Sequence, residues 1–258
     1  MIKMKVDLEW DDGHVLPPKV YPDVAFLFRR MSEVTVGKVG VGSGEVVLDI
    51  GCGRAIDAIQ MAKRGGKCLG FEPSRKMINH AKKCIADNGM EVSLIQGVGE
   101  YLPFKTNSLD KVMCKGALDH FPYPAKAIEE MARVLKPQGK AIIAVANFES
   151  IGFRLGRWLF TLEKILLRGK TNRKNVWQIP ADHTYKFDYT FLKHVVGHHL
   201  KMEQSIGVSL LFGLPGWSSL LDKLPKGVSR AILSTLDKLA RHLPSLSDTI
   251  ILRCSPES

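Results

Sequence analysis

A short run, Asp49-Ile50-Gly51-Cys52-Gly53-Arg54-Ala55, sets an acidic side chain before glycines at alternate positions, directly after the apolar stretch Val46-Val47-Leu48. Glycine permits a sharp turn there and a close approach of backbone to ligand. A helix starting after the turn offers unpaired N–H groups. Asp49 is placed to hold the loop or to meet a ligand ammonium, directly or through water. Ile56 stands where a dinucleotide fingerprint has its third glycine, which disfavours NAD and FAD, and no Gly-Lys-Ser/Thr follows, which excludes a P-loop. Glu72 ends a second apolar stretch, ahead of Pro73-Ser74. A carboxylate at that point can accept both hydroxyls of a ribose. After a third stretch comes Gly97-Val98-Gly99-Glu100, whose backbone passes near a base carried by the same nucleoside; after a fourth, Cys114–Phe121 borders the reacting centre.

These runs need a scaffold that brings them to one edge. EVVLDI, KCLGF, VSLIQ, DKVMCK and KAIIAVA read as strands, separated by helices over Ala55–Arg64, from a Ser74 cap to Asn88, and over Ala125–Leu135, closed by Lys136-Pro137-Gln138-Gly139. An earlier helix spans 22–39, and the polar, proline-bearing residues 1–20 read as an arm. Strands alternating with helices predict right-handed crossovers and a doubly wound parallel sheet, with ligands at the carboxyl ends of its strands. Beyond residue 148, helices are expected over 188–199 and over 217–243 with a break at Pro225, and strands over 201–211 and at TIILRC.

The succession VVLDIGCGRA, GFEPS, QGVGEYLPF, SLDKVMCKGALDHF and RVLKPQGKAIIAV resembles the small-molecule branch of class I S-adenosylmethionine-dependent methyltransferases (type 11-like domain) over about residues 41–148. The resemblance implies an α/β, Rossmann-like seven-stranded sheet whose last strand is antiparallel, with a helical cap inserted after strand five. It divides the chain into an arm and helix (1–40), a cofactor-binding core (41–148), and a cap with the last strands (149–258). It implies S-adenosyl-L-methionine as cofactor, S-adenosyl-L-homocysteine as product, and no metal. Asp49, Gly51 and Gly53 would contact the methionine part and Glu72 the ribose. Pro73 and Met77 would border the adenine, Val98 and Gly99 its edge, and Lys115 the methionine moiety. Two residues depart from the family pattern: Ala55 stands at a frequent glycine and Val98 at a frequent aspartate. Adenine selectivity then falls to backbone groups or to Glu100.

Methyl transfer from a sulfonium is an in-line displacement, so the protein mainly aligns the partners and excludes water. A base is needed only if the acceptor loses a proton. The candidates are His120, Asp119, His183 and Tyr185, with His120 and His183 preferred. Motifs of the amino-directed nucleic-acid, cytosine-C5 and protein-arginine enzymes are lacking, which leaves a small organic acceptor, lipophilic or anionic. An RNA acceptor and a non-catalytic cofactor-binding scaffold are the alternatives.

Residues 150–168 place Ile151, Leu155, Trp158, Leu159, Leu162, Ile165 and Leu166 on one helical face, with Arg157, Lys164 and Arg168 opposite. Between 151 and 174, seven Lys/Arg against one Glu leave a local charge of +6. Three roles fit: a helix packed on the core with a solvated basic back, a lid over a hydrophobic pocket, or peripheral contact with an anionic membrane. RNA would use the same charge, but no RNA-binding module accompanies it. The whole chain carries +11, which favours anionic partners. Its five cysteines form no CxxC pair and suggest neither disulfides nor zinc. With a polar N-terminal stretch and no run of ~20 apolar residues, the expected location is cytoplasmic or membrane-peripheral.

Overall fold

A computed structural model describes residues 6–14, 19–166 and 183–257. A seven-stranded sheet runs in the order β3-β2-β1-β4-β5-β7-β6. β1 (Val46–Ile50), β2 (Lys67–Glu72), β3 (Val92–Gln96), β4 (Leu109–Lys115) and β5 (Leu135–Ala146) are parallel. β7 (Thr249–Pro256) lies antiparallel between β5 and β6 (Leu200–Val208).

The strands alternate between two apolar layers. Leu48, Ile50, Val112, Cys114, Ile143 and Leu252 face one core. Val47, Met113, Ile142, Ala144 and Ile251 face the other. A strand buried on both faces loses the polar alternation of a half-exposed one and reads as a continuous apolar run. The first face is covered by α4 (Pro124–Val134) and α6 (Tyr189–Val196). The second is covered by α1 (Pro22–Val39), α2 (Ile56–Ala62) and α3 (Arg75–Asn88). α7 (Trp217–Lys223) and α8 (Lys226–Ala240) pack over α1 through Phe26, Leu221 and Leu233.

Local chemistry sets the helix ends. The Ser74 hydroxyl accepts from Met77 N at 3.3 Å and opens α3, and Gly89 closes it at φ 59°. Asp188 caps α6 by accepting from Phe191 N at 2.9 Å. Two elements depart from expectation. α2 begins at Ile56, because Ala55 adopts a left-handed φ of 57°. Lys136–Gly139 is part of β5, which begins at Leu135 with a register irregularity opposite Leu109 and Lys111, where a helix stop was expected.

α5 (Ile151–Leu166) corrects the first of the three roles set out for its apolar stripe. The helix packs through Gly152, Phe153 and Gly156. A Cβ on Gly152 would stand 2.3 Å from Phe212 O, so glycine is what lets the helix lie this close to the 211–212 backbone. Leu155, Trp158, Leu159, Leu162, Ile165 and Leu166 are exposed, Trp158 at 60% and Leu166 at 79%. The expected stripe is real, but it points outward rather than into the core. Residues 167–168, the basic link that follows and Pro180–Asp182 lie outside the described residues. No helix among the described residues is long and apolar enough to cross a membrane.

Candidate active site

The carboxyl ends of β1, β2 and β4 meet at one edge, with Asp49 level with Gly70 and Met113 in the sheet. Gly51 and Gly53 turn the chain at φ 68° and 52°. A Cβ on Gly51 would fall 2.4 Å from the Ala117 Cβ, so the β1 and β4 loops touch across that hydrogen. Glu72, 6% exposed, bridges the next pair of loops. Its Oε2 accepts from Gly53 N at 3.0 Å and its Oε1 from Ser74 N at 2.9 Å. Burial raises the Glu72 carboxyl above its ordinary pKa, while those two N–H groups pull against the rise.

Asp49 is 3% exposed and accepts from Ala58 N at the start of α2. Burial pushes its carboxyl well above the usual range; neighbouring Asp57 adds to the rise and Lys115 opposes it. Lys115 Nζ lies 2.6 Å from Asp57 Oδ2, and Ser32 donates to the other Asp57 oxygen. Lys115 therefore balances an acidic pair beneath the loop. Met77 is buried with its Cε toward Gly53, and the carbonyl of Pro73 accepts from Gln96 Nε2 at 3.0 Å. The Val98 carbonyl closes a turn onto Tyr101 N at 3.0 Å. Glu100 is buried and accepts from Tyr123 N at 3.2 Å, which ties its carboxylate to the β4–α4 loop.

His120 and His183, 63 positions apart in the chain, are brought edge to face with centroids 4.5 Å apart. The join is backbone: Thr184 N and Tyr185 N both donate to Asp119 O, at 2.8 and 3.1 Å. Asp119 is 3% exposed, with Oδ2 3.6 Å from His183 Nε2. These three residues present one ligand atom each within 4.8 Å of one another, a set able to hold a cation, although the sequence pattern called for no metal. Tyr185 turns away from the pair. Its hydroxyl donates to Pro122 O at 3.2 Å, and its ring lines a groove of about 700 Å³ with Tyr101, Tyr123, Lys126 and Phe191.

Two aromatic residues at this site escaped the sequence reading. Phe148, just past β5, stands edge-on to His183 at 5.8 Å and packs on Phe153 of α5 at 6.0 Å. Its position after a strand's carboxyl end was the available signal. Trp10, in the arm, stands edge-on to His120 at 5.8 Å, and nothing in its sequence surroundings marks it.

Residues 48–143 match a family model described as a methyltransferase domain. Over 98 residues the chain is 36% identical to the uncharacterised methyltransferase YcgJ of Bacillus subtilis (strain 168), covering 38% of this chain and 39% of that one. The chain thus spans less than half the length of that relative. A longer alignment, 185 residues at 30% identity, joins it to the ubiquinone biosynthesis O-methyltransferase of Klebsiella pneumoniae (strain 342), covering 66% of this chain and 74% of that one. The crystal structure of YcgJ superposes with a TM-score of 0.58 at 19% identity, over 89% of this chain and 100% of that one. That superposition speaks for the fold.

Proposed function

The chain belongs to the class I S-adenosylmethionine-dependent methyltransferases, and from that premise we propose that it methylates a small lipophilic acceptor held beside His120 and His183. S-adenosylmethionine supplies a methyl group already activated by the positive sulfur. The residues at the sheet edge suit that cofactor. Gly51 and Gly53 turn the loop at positive φ, the buried Asp49 suits an ammonium, and the buried Glu72 suits a pair of ribose hydroxyls. Pro73, Met77, Val98 and Gly99 make the adenine wall, with polar recognition from backbone or from Glu100. Lys115 acts through the Asp57–Asp49 pair and does not itself touch the cofactor.

The observation that carries the acceptor side is the His120–His183 pair, set with Asp119 next to this cradle. Either imidazole can take a proton from an acceptor hydroxyl, and Asp119 stabilises the imidazolium that forms. A lipophilic acceptor is favoured because Phe148 links His183 to α5, whose apolar stripe faces outward. Arg154 and Lys164 stand exposed on the helix, Arg157 is half-buried beside Glu149, and four more basic residues follow at 168–174. An apolar face beside positive charge suits an anionic lipid surface. The relative in Klebsiella is named for ubiquinone biosynthesis, which agrees with a lipid-soluble acceptor.

The test is transfer of labelled methyl from S-adenosylmethionine into an extract of the source cells, followed by separation into lipid, small-molecule, protein and nucleic-acid fractions. Label is expected in the lipid or small-molecule fraction. Label confined to nucleic acid would overturn this acceptor class.

A further inference from the structure

The arm expected at the N-terminus is fastened in place. Between Leu8 and Asp12 it meets three of the loops that surround the cradle. At the β2–α3 loop, Arg75 N donates to Leu8 O at 2.9 Å and Ser74 Oγ donates to Trp10 O at 2.6 Å. At the β1–α2 loop, Arg54 holds Asp12 in a two-pronged pair, Nε–Oδ2 at 2.6 Å and Nη2–Oδ1 at 2.7 Å. At the β4–α4 loop, the Trp10 ring stands against His120. A further contact, His80 Nε2 to Asp11 Oδ2 at 3.3 Å, ties the arm to the body of α3.

Arg54 directly follows Gly53, and Ser74 lies two residues past Glu72. The anchors therefore flank the two N–H groups that hold Glu72. A chain of five residues reaches no more than about 17 Å, and this one is tied on both sides of Glu72 and again at His120. Its contacts therefore join the β1–α2, β2–α3 and β4–α4 loops, the three loops that carry Gly53, Ser74 and His120.

We propose that residues 6–14 form a strap that closes over bound S-adenosylmethionine, with the Arg54–Asp12 pair as its latch and Trp10 as the wall at the donor–acceptor junction. This rests on the cofactor lying among Asp49, Gly51, Gly53 and Glu72. Cofactor entry and release of S-adenosylhomocysteine then require the latch to open, and while it is shut, water is kept from the methyl group. The anchors suit a gate: each is a single hydrogen bond, an ion pair or an edge contact, and the latch is part-exposed, Arg54 at 40% and Asp12 at 24%. Such contacts open with local free energies far below that of global unfolding.

The test is the dissociation rate of S-adenosylhomocysteine from the full chain, measured by stopped flow on wild type, Asp12→Ala, Trp10→Ala, the exchanged pair Asp12→Arg/Arg54→Asp, and Glu72→Gln. Loss of the latch is expected to speed release about tenfold with little change in melting temperature, and the exchanged pair to restore most of the slow rate. A strap that serves folding alone would lower the melting temperature and leave the rate unmoved. Hydrogen exchange on the wild type needs no variant: amides of residues 6–14 should gain protection when S-adenosylhomocysteine is added. Unchanged release and unchanged protection, with binding weakened by Glu72→Gln, would overturn the strap and leave the cofactor placement standing. A Glu72→Gln protein that binds as wild type would overturn the placement and the strap with it.

Discussion

The two sides of the candidate site are built by opposite means. On the proposed cofactor side the work is done by backbone: Glu72 is fixed by two N–H groups, Asp49 by one, Gly51 and Gly53 hold left-handed conformations, and Gly51 a clearance that a side chain would spoil. On the acceptor side it is done by side chains on separate segments, His120, His183 and Phe148, backed by a helix that turns its apolar residues outward. A ligand of fixed shape can be met by fixed backbone. The lipophilic acceptor proposed above would need a surface compatible with an apolar phase.

The largest test of this contrast is Gly51→Ala. The added methyl meets the Ala117 Cβ at 2.4 Å in a left-handed conformation. Left-handed backbone costs roughly 1–2 kcal/mol and overpacking about 1–3 kcal/mol. The unliganded loop escapes these costs by shifting, and binding has to restore it, so affinity for S-adenosylhomocysteine, read by calorimetry, should fall by up to about 1000-fold. Gly89→Ala is the control: it shares the left-handed φ, at 59°, but has open space around it. It should lose about 1 kcal/mol of stability and bind normally. Equal losses in the two variants would mean that strain alone matters and that the clearance between the β1 and β4 loops does not.

A smaller effect is expected on the other side. Replacing Trp158, Ile165 and Leu166 together by Gln removes three outward apolar groups. Burial of such a side chain is worth about 1.5–3 kcal/mol when complete and less at a lipid surface. Co-sedimentation with vesicles of anionic lipid should weaken roughly 100-fold, while thermal stability stays within about 0.5 kcal/mol, as for ordinary surface changes. A large loss of stability with no loss of vesicle binding would show that the stripe is covered within the protein.

The contrast also explains what the sequence disclosed. Strands buried on both faces gave continuous apolar runs, and positive-φ turns gave glycines at 51 and 53, so the core could be read directly. Periodicity located the stripe on α5 but could not say which way it faced. The missed signal was the pair Gly152 and Gly156, one turn apart, which marks the side of the helix that meets another backbone. The hydrogen bonds that Glu100 and Tyr185 make to distant backbone, at Tyr123 and Pro122, leave no trace in local pattern. The strap was hidden for the same reason: its partners lie 42 to 110 positions away. Ala55 stands where the family frequently has glycine, and its left-handed φ shows that the glycine there answers a backbone need.

The smallest effect lies at the seam between the two sides. Asp248 accepts from Phe212 N at 3.1 Å, and its own carbonyl takes Asn147 N at 2.9 Å where β5 exits toward α5. Burial pushes its carboxyl from 3.8 up to about 7. The folded chain thus keeps this proton up to about pH 7, while the unfolded chain gives it up near pH 4. Stability is present in full below the unfolded value and drains away as pH rises through the folded one. By linkage at 1.36 kcal/mol for each pH unit, the loss between pH 5 and pH 8 is on the order of 2 kcal/mol. Asp248→Asn keeps an oxygen for Phe212 N and cannot ionise. Urea denaturation should therefore show wild type losing stability across that range relative to the variant, with the two lines converging toward acid. Parallel lines would mean that the carboxylate is solvated at this seam, and that the α5 side is open to water where it joins the sheet.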